Sequence, residues 1–532
     1  MRVANYCILA ITYFITATLA FKPYNNRRED ADEYLQYQRD NHQINFQDPD
    51  KTAQVGPVAA LTDFQPIYSI IHPNQVQFYS FSVNTTGTIG EYYEYLIFVS
   101  GNICLQPPNL SAEDNLQVFY SFNSNLLNQV VDENTHQTSF QFGYFQALGE
   151  FLQNQTSLDP DPTLYIAIYS PDHVNSTAYW NYQIGVSQDN LVYQWDSRSF
   201  ANVLDTDDQS ALIVTGNLSF IPGFNPNQSL GIENEAFNLY IYDYEYKNYF
   251  NNLNQSACAI RSGPQLTNIT VNTSYTFRSG NNNLEQQFYV DGLKQGTSYI
   301  GYLVYDFGLT DNSEALGGAV YQQFEFETLD SDACSVIFDL DFCDKVAYAV
   351  PEMPGVSKEE LAATFDNYTS NLFVNFTNAL QQIACNTTEN AVFSPITSCQ
   401  NCSSSYKDWL CSISIPRCST RNMTGYLYRE VNESRNDFIN NVIQPKLPYF
   451  EVLPCIDMCQ AIARDCPADF GFICPTRNDS IALSYYWTNG NTQYPTCNYM
   501  GAVPEIENAS SSLIINWTFV MLGLIITMVV YL

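Results

Sequence analysis

The chain is 532 residues long and acidic, with 21 Lys and Arg against 55 Asp and Glu and a formal charge of −34. Nucleic acid is thereby excluded as a partner, because phosphates need a basic face to meet them. Only 14% of residues are charged while 45% are hydrophobic, with 39 Tyr and 34 Phe, so the chain can fill several cores and is not disordered.

Length points to three or four domains. Residues 1–20 read as a secretory signal peptide: Arg2 is the charged start, 8–19 is apolar, and Thr18-Leu19-Ala20 is a small-residue cleavage site. Residues 21–55, with Arg27-Arg28-Glu29-Asp30, form a polar arm. From 56 to 190, short alternating runs at 76–81, 95–99 and 164–169 carry aromatic and β-branched residues between turn-forming clusters. That period-two pattern predicts a β-sandwich.

Residues 191–330 repeat the texture and predict a second sandwich. Its segment 293–299, ending at Tyr299, resembles the turn and tyrosine corner of fibronectin type III domains. Strands are expected at 300–305 and 322–328. Cys104 and Cys258 are the only mature cysteines before residue 334, and parity predicts a bridge linking the two sandwiches.

The character changes at Cys334. Twelve cysteines follow: Cys334, Cys343, Cys385, Cys399, Cys402, Cys411, Cys418, Cys455, Cys459, Cys466, Cys474 and Cys497. With Cys7 removed in the signal, the mature count of fourteen is even, as an oxidising compartment favours. A helix is expected at 361–383. Cys455, Cys459 and Cys466 are spaced to share one helical face. The region 331–500 is therefore predicted to be a disulfide-rich, mainly α-helical domain.

Residues 501–532 form a linker and an apolar tail. The run 513–532 is long enough to span a bilayer, and no Lys or Arg follows Arg477. This resembles a glycolipid-anchor signal with Asn508-Ala509-Ser510 at the attachment position, the alternative being a retained single helix. Eighteen Asn-x-Ser/Thr sequons add to the secretory reading: Asn84, Asn109, Asn154, Asn175, Asn217, Asn227, Asn254, Asn268, Asn272, Asn367, Asn375, Asn386, Asn401, Asn422, Asn432, Asn478, Asn508 and Asn516.

Chemistry is sparse. Cys399-Gln400-Asn401-Cys402 could be a redox pair or a zinc half-site, but reads better as part of the disulfide frame. The four histidines (His42, His72, His136 and His173) all lie outside the Cys-rich region. The acidic clusters 204–208 and 339–341 lack the spacing of a calcium loop and read as solvated or capping carboxylates. The chain lacks the signatures of serine hydrolases, zincins, phosphate loops and dinucleotide folds, so neither catalysis nor a cofactor is expected. A pore is hard to build, since the internal run 95–105 is short and interrupted by Ser100-Gly101-Asn102.

Two resemblances enter through the Cys-rich region. Trp409, Cys411, Pro416, Arg417 and Cys418, followed by Pro454, Cys455, Asp457, Cys459, Cys466 and Pro467, resemble a frizzled-like cysteine-rich domain. Segments 333–351, 435–438, 453–475 and 497–499, with 96–104, 193–196 and 203–207 upstream, are similar to the fungal stretch-activated calcium channel regulatory subunit of the Mid family. That resemblance implies a plasma-membrane glycoprotein, exposed outside and passing through the endoplasmic reticulum. It would act with a large four-repeat, voltage-gated-type calcium channel subunit. Tyr406, Trp409, Arg417 and Asp457 are the candidate partner contacts, set against core packing for Trp409 and internal ion pairs for Arg417 and Asp457. Rival readings are a receptor for a lipid or peptide, and a cell-wall adhesin or enzyme.

Overall fold

The alternating runs fold as strands, and the protein is mostly β-sheet with a few helices. The computed structural model describes residues 54–500 except 86–91, 109, 111–113, 155–161, 172–177, 219–236, 279–283, 308–316, 384–393, 395 and 489–493. The signal segment, most of the arm, the tail 501–532 with Asn508 and Asn516, Cys385, and the sequons Asn109, Asn175, Asn227 and Asn386 lie outside the described residues. Two compact units emerge. One comprises Met1–Trp195, Asn248–Gly263 and Tyr305–Val320, and the other Asp196–Lys247, Pro264–Val304 and Tyr321–Leu532.

In the first unit, Gln75–Ser82 and Thr163–Tyr169 pair antiparallel at the centre of one sheet, with Phe78 opposite Ala167. A second sheet orders Ile67–Ile71, Trp180–Ser187, Tyr92–Leu105 and Tyr144–Asn154. Alternate residues of both sheets meet in one core around Tyr79, Ile97, Ile166, Trp180 and Tyr182. The Tyr79 and Tyr182 hydroxyls bond each other at 2.7 Å, which satisfies two buried polar groups. Burial pushes both phenols above their ordinary value.

The strand Tyr92–Leu105 runs through Ser100-Gly101-Asn102, the polar and small residues that break the apolar run there without ending the strand. Its neighbours explain this. A Cβ on Gly101 would meet the Phe145 ring and the Gln183 carbonyl at 2.5 and 2.6 Å, so only glycine lets the strands close there. Ser100 is equally placed, its hydroxyl accepting the Tyr193 N–H at 2.9 Å.

Cys104 and Cys258 are bonded. The expectation that they join two sandwiches needs correcting, because both ends of the bridge belong to the first unit. Residues 248–263 pack there, with helix Ala257–Ser262 capped by Ser256, whose hydroxyl also donates to the Ile103 carbonyl at 2.7 Å.

In the second unit, Ala201–Thr206, Ser210–Thr215, Glu285–Asp291 and Thr270–Thr276 form one antiparallel sheet in that order. The Tyr299 hydroxyl accepts the Lys294 N–H at 2.8 Å, the backward bond that segment 293–299 predicts. The Cys-rich stretch adds a hairpin of Cys334–Ile337 and Tyr348–Pro351 and a small sheet ordered Arg417–Ser419, Tyr449–Val452, Tyr426–Arg429. The longer helices described there are Lys358–Leu380, Cys399–Ser414 and Ile456–Asp465. The first starts at the N-cap Ser357 with Glu359 and Glu360 in its first turn, where carboxylates suit the helix dipole.

Candidate functional site

Disulfides fix the helices of the Cys-rich stretch. Cys343–Cys411 ties helix Cys399–Ser414 to the segment after the first hairpin strand, and Cys334–Cys418 ties that hairpin to the small sheet. Helix Ile456–Asp465 is held at both ends and within: Cys455 bonds Cys497, Cys459 bonds Cys474, and Cys466 bonds Cys402. Cys399 is also disulfide-bonded. The 399–402 pair therefore offers no thiolate for redox or zinc chemistry. No group of His, Cys, Asp and Glu among the described residues is arranged to hold a metal.

The four candidate contact residues separate on inspection. Tyr406 lies flat against Phe376, ring centroids 3.7 Å apart, and half-burial raises its phenol. Trp409 donates its indole N–H to the Tyr485 hydroxyl at 2.9 Å. Arg417 is 11% exposed, with its Nε on Asp205 at 2.8 Å and its Nη2 on the Leu204 carbonyl at 2.7 Å. Asp457 alone of the four is exposed. It sits in the first turn of helix Ile456–Asp465 and accepts the Thr488 hydroxyl at 3.1 Å. Gln460 and Arg464 continue the same exposed stripe. The stretch 473–499 that follows the helix carries large exposed apolar side chains, Ile473 and Leu483 at 89% and 72% exposure and, less so, Trp487 and Tyr499.

In the acidic cluster 204–208 the capping reading holds for Asp207, which takes backbone N–H groups, while the solvated reading needs correction. Asp205 and Asp207 are not solvated. The Asp207 side chain is fully buried: one oxygen accepts the N–H groups of Gln209 and Ser210 at 3.0 and 2.7 Å. The other oxygen accepts the Val336 N–H at 2.9 Å and faces the Lys358 ammonium at 2.5 Å. Lys358 also donates to the hydroxyls of Ser210 and Tyr289 at 2.9 and 3.0 Å. Asp205 takes the Ala349 N–H at 3.1 Å besides Arg417. One sheet-end loop thus grips both strands of the first Cys-rich hairpin and two cations. Local spacing carries no signal for this, because the partners lie 129 to 212 residues away.

Beside this joint, burial raises the carboxyl of Glu352, which accepts the Ser335 hydroxyl, and burial with the charge of Asp207 raises that of Asp208. A raised folded-state pKa means the folded protein holds more protons than the unfolded chain. The cost of these carboxylates is therefore present at neutral pH and disappears as pH falls towards their ordinary values of 4.5 and 3.8. Glu352→Gln is expected to stabilise the protein at pH 7 and to flatten its gain as pH falls from 7 towards 4.5. Denaturation midpoints at several pH values check this, and an unchanged pH slope would contradict it.

Comparison with known proteins identifies the lineage. A family model described as a stretch-activated Ca2+-permeable channel component matches residues 96–503. The chain is 35% identical over 482 residues to the stretch-activated cation channel MID1 of Saccharomyces cerevisiae, covering 83% of this chain and 87% of that protein. It is 36% identical over 357 residues to the stretch-activated cation channel yam8 of Schizosaccharomyces pombe, covering 65% and 69%. A shorter match to MID1 of Cryptococcus neoformans var. grubii is 33% identical over 122 residues, or 19% of this chain and 20% of that one.

Proposed function

We propose, because this chain belongs to the family of stretch-activated Ca2+-permeable channel components, that it serves as the extracellular auxiliary subunit of a plasma-membrane calcium channel. Its partner is a large four-repeat, voltage-gated-type channel subunit. In this reading the mature protein is a secretory glycoprotein built as two β-sandwiches, over 56–190 and 191–330 with residues 248–263 contributed to the first, and a frizzled-like domain over 331–500. The tail 501–532 holds it at the outer membrane face, through a lipid at Asn508 or as a helix.

One observation carries this reading. Helix Ile456–Asp465 is pinned by three disulfides yet leaves Asp457, Gln460 and Arg464 exposed, and the segment disulfide-bonded to it carries the exposed Ile473 and Leu483. A face fixed in advance loses little conformational entropy on docking, so a region with a modest core can still bind firmly. Asp457 is the contact residue, Tyr406 and Trp409 pack behind the helix, and Arg417 is committed to the joint with Asp205. No helix among the described residues is long and apolar enough to cross a membrane.

Affinity purification of the full chain from native membranes is expected to bring down a large multi-span calcium channel subunit. Asp457→Lys with Leu483→Glu should abolish this while leaving surface delivery intact. Phospholipase release from intact cells separates the lipid anchor from a retained helix. Tension-gated calcium currents from the purified chain alone in lipid would overturn the auxiliary role.

A further inference from the structure

Asn272 lies in the strand Thr270–Thr276, which among the described residues is the edge of its sheet and pairs with Glu285–Asp291. The register sets Asn272 directly opposite Tyr289, and Tyr289 in turn opposite Leu212. Residues opposite one another in an antiparallel ladder share a sheet face. Leu212 and Tyr289 belong to the cluster packed against Cys334, Val336 and Phe338, so this is the face on which the first Cys-rich hairpin sits. Asn272 therefore projects from the rim of that contact.

A groove of about 290 Å³ opens there, lined by Asn272, Ser274, Tyr289, Phe338, Asp339 and Lys358 among others. All three residues of the sequon Asn272-Thr273-Ser274 are in its wall. Opposite them are the Tyr289 and Phe338 rings, centroids 5.1 Å apart, and the exposed carboxylate of Asp339, held by Arg278 at 3.2 Å. Aromatic faces beside hydrogen-bonding carboxylate, amide and hydroxyl groups suit a sugar ring, whose C–H faces are apolar and whose rim is polar.

We propose that Asn272 carries an N-linked glycan whose first sugars seat in this groove and brace the sheet against the Cys-rich hairpin. The inference rests on the secretory reading above. In forming the link, the Asn272 amide nitrogen loses one proton and bonds the sugar C1 of a lipid-linked oligosaccharide. The C1–O bond breaks and the lipid pyrophosphate leaves, with no change of oxidation state. The glycan then also covers an otherwise open strand edge, the part of a sheet most prone to pair with another chain.

The neighbouring sequon Asn268 is exposed, precedes the strand and does not line the groove, so it serves as the internal control. The test uses the full chain purified from a eukaryotic host, with occupancy mapped by glycopeptide mass spectrometry. Endoglycosidase should release the Asn272 glycan from folded protein roughly tenfold more slowly than the Asn268 glycan, the ratio set by about 1.4 kcal/mol of contact. Asn272→Gln should lower the unfolding temperature and Asn268→Gln should not. Other sequons occupied with Asn272 bare overturns the brace and leaves the secretory reading standing. Equal release rates with equal unfolding temperatures also overturn it. A chain without glycan at any sequon overturns both.

Discussion

Asp207→Asn is expected to destabilise the protein by about 3–5 kcal/mol, the range for breaking a buried ion pair from one side. Asparagine keeps one acceptor oxygen for the Gln209 and Ser210 N–H groups. It turns the other position into a donor, facing the Val336 N–H and the Lys358 ammonium. Two donors then confront a third, and a cation loses its carboxylate. Burial opposes the Lys358 charge, and Asp207 with Tyr289 outweighs it to hold the ammonium above its ordinary pKa. Without Asp207 the burial cost stands alone. Denaturant midpoints and delivery to the cell surface measure the outcome.

Lys358→Met in the same background separates lost attraction from uncompensated charge. Because a buried pair is costly to desolvate, the double variant should recover part of the loss. Asp208→Asn, at the next position along the chain but half-exposed and with a charge that burial and Asp207 disfavour, should be neutral or mildly stabilising at pH 7. A result for Asp207→Asn within about 0.5 kcal/mol of wild type, the range of ordinary surface changes, would mean the joint does not hold the hairpin.

The strands were legible because their signal is local. Runs 76–81 and 164–169 alternate, and each lies within a strand, Gln75–Ser82 and Thr163–Tyr169. The expected helix at 361–383 is present as Lys358–Leu380 for the same reason. Tyr299 was legible because its bond closes over five residues. The joint was not, because a buried Asp and a solvated Asp look alike until the partner is known, and Lys358 lies 151 residues from Asp207. The contact candidates show the same limit. Proximity to cysteines marks Tyr406 and Asp457 equally, yet a facing helix supplies Phe376 to one and the other is exposed among the described residues.

Replacing Cys343 and Cys411 together by serine is expected to trap the chain in the secretory pathway and abolish its support of calcium influx. The bridge closes 68 residues, for which chain entropy alone gives about 4 kcal/mol. Both sulfurs lie inside the core formed by Leu361, Phe365, Ile415 and Phe438, so the serines would also bury hydroxyls in an apolar setting. Removing Cys459 and Cys474 is the informative comparison. That bridge closes only 15 residues, worth about 3 kcal/mol on the same scale, and Cys474 is half-exposed. It pins the middle of helix Ile456–Asp465 while Cys455–Cys497 and Cys402–Cys466 still hold the ends. The second variant should therefore reach the surface in part and lose partner binding more than folding. Surface biotinylation with co-purification of the channel subunit reads both effects. Equal retention of the two variants would show that the cysteines act as one indivisible frame, and that the exposed helix face has no role apart from it.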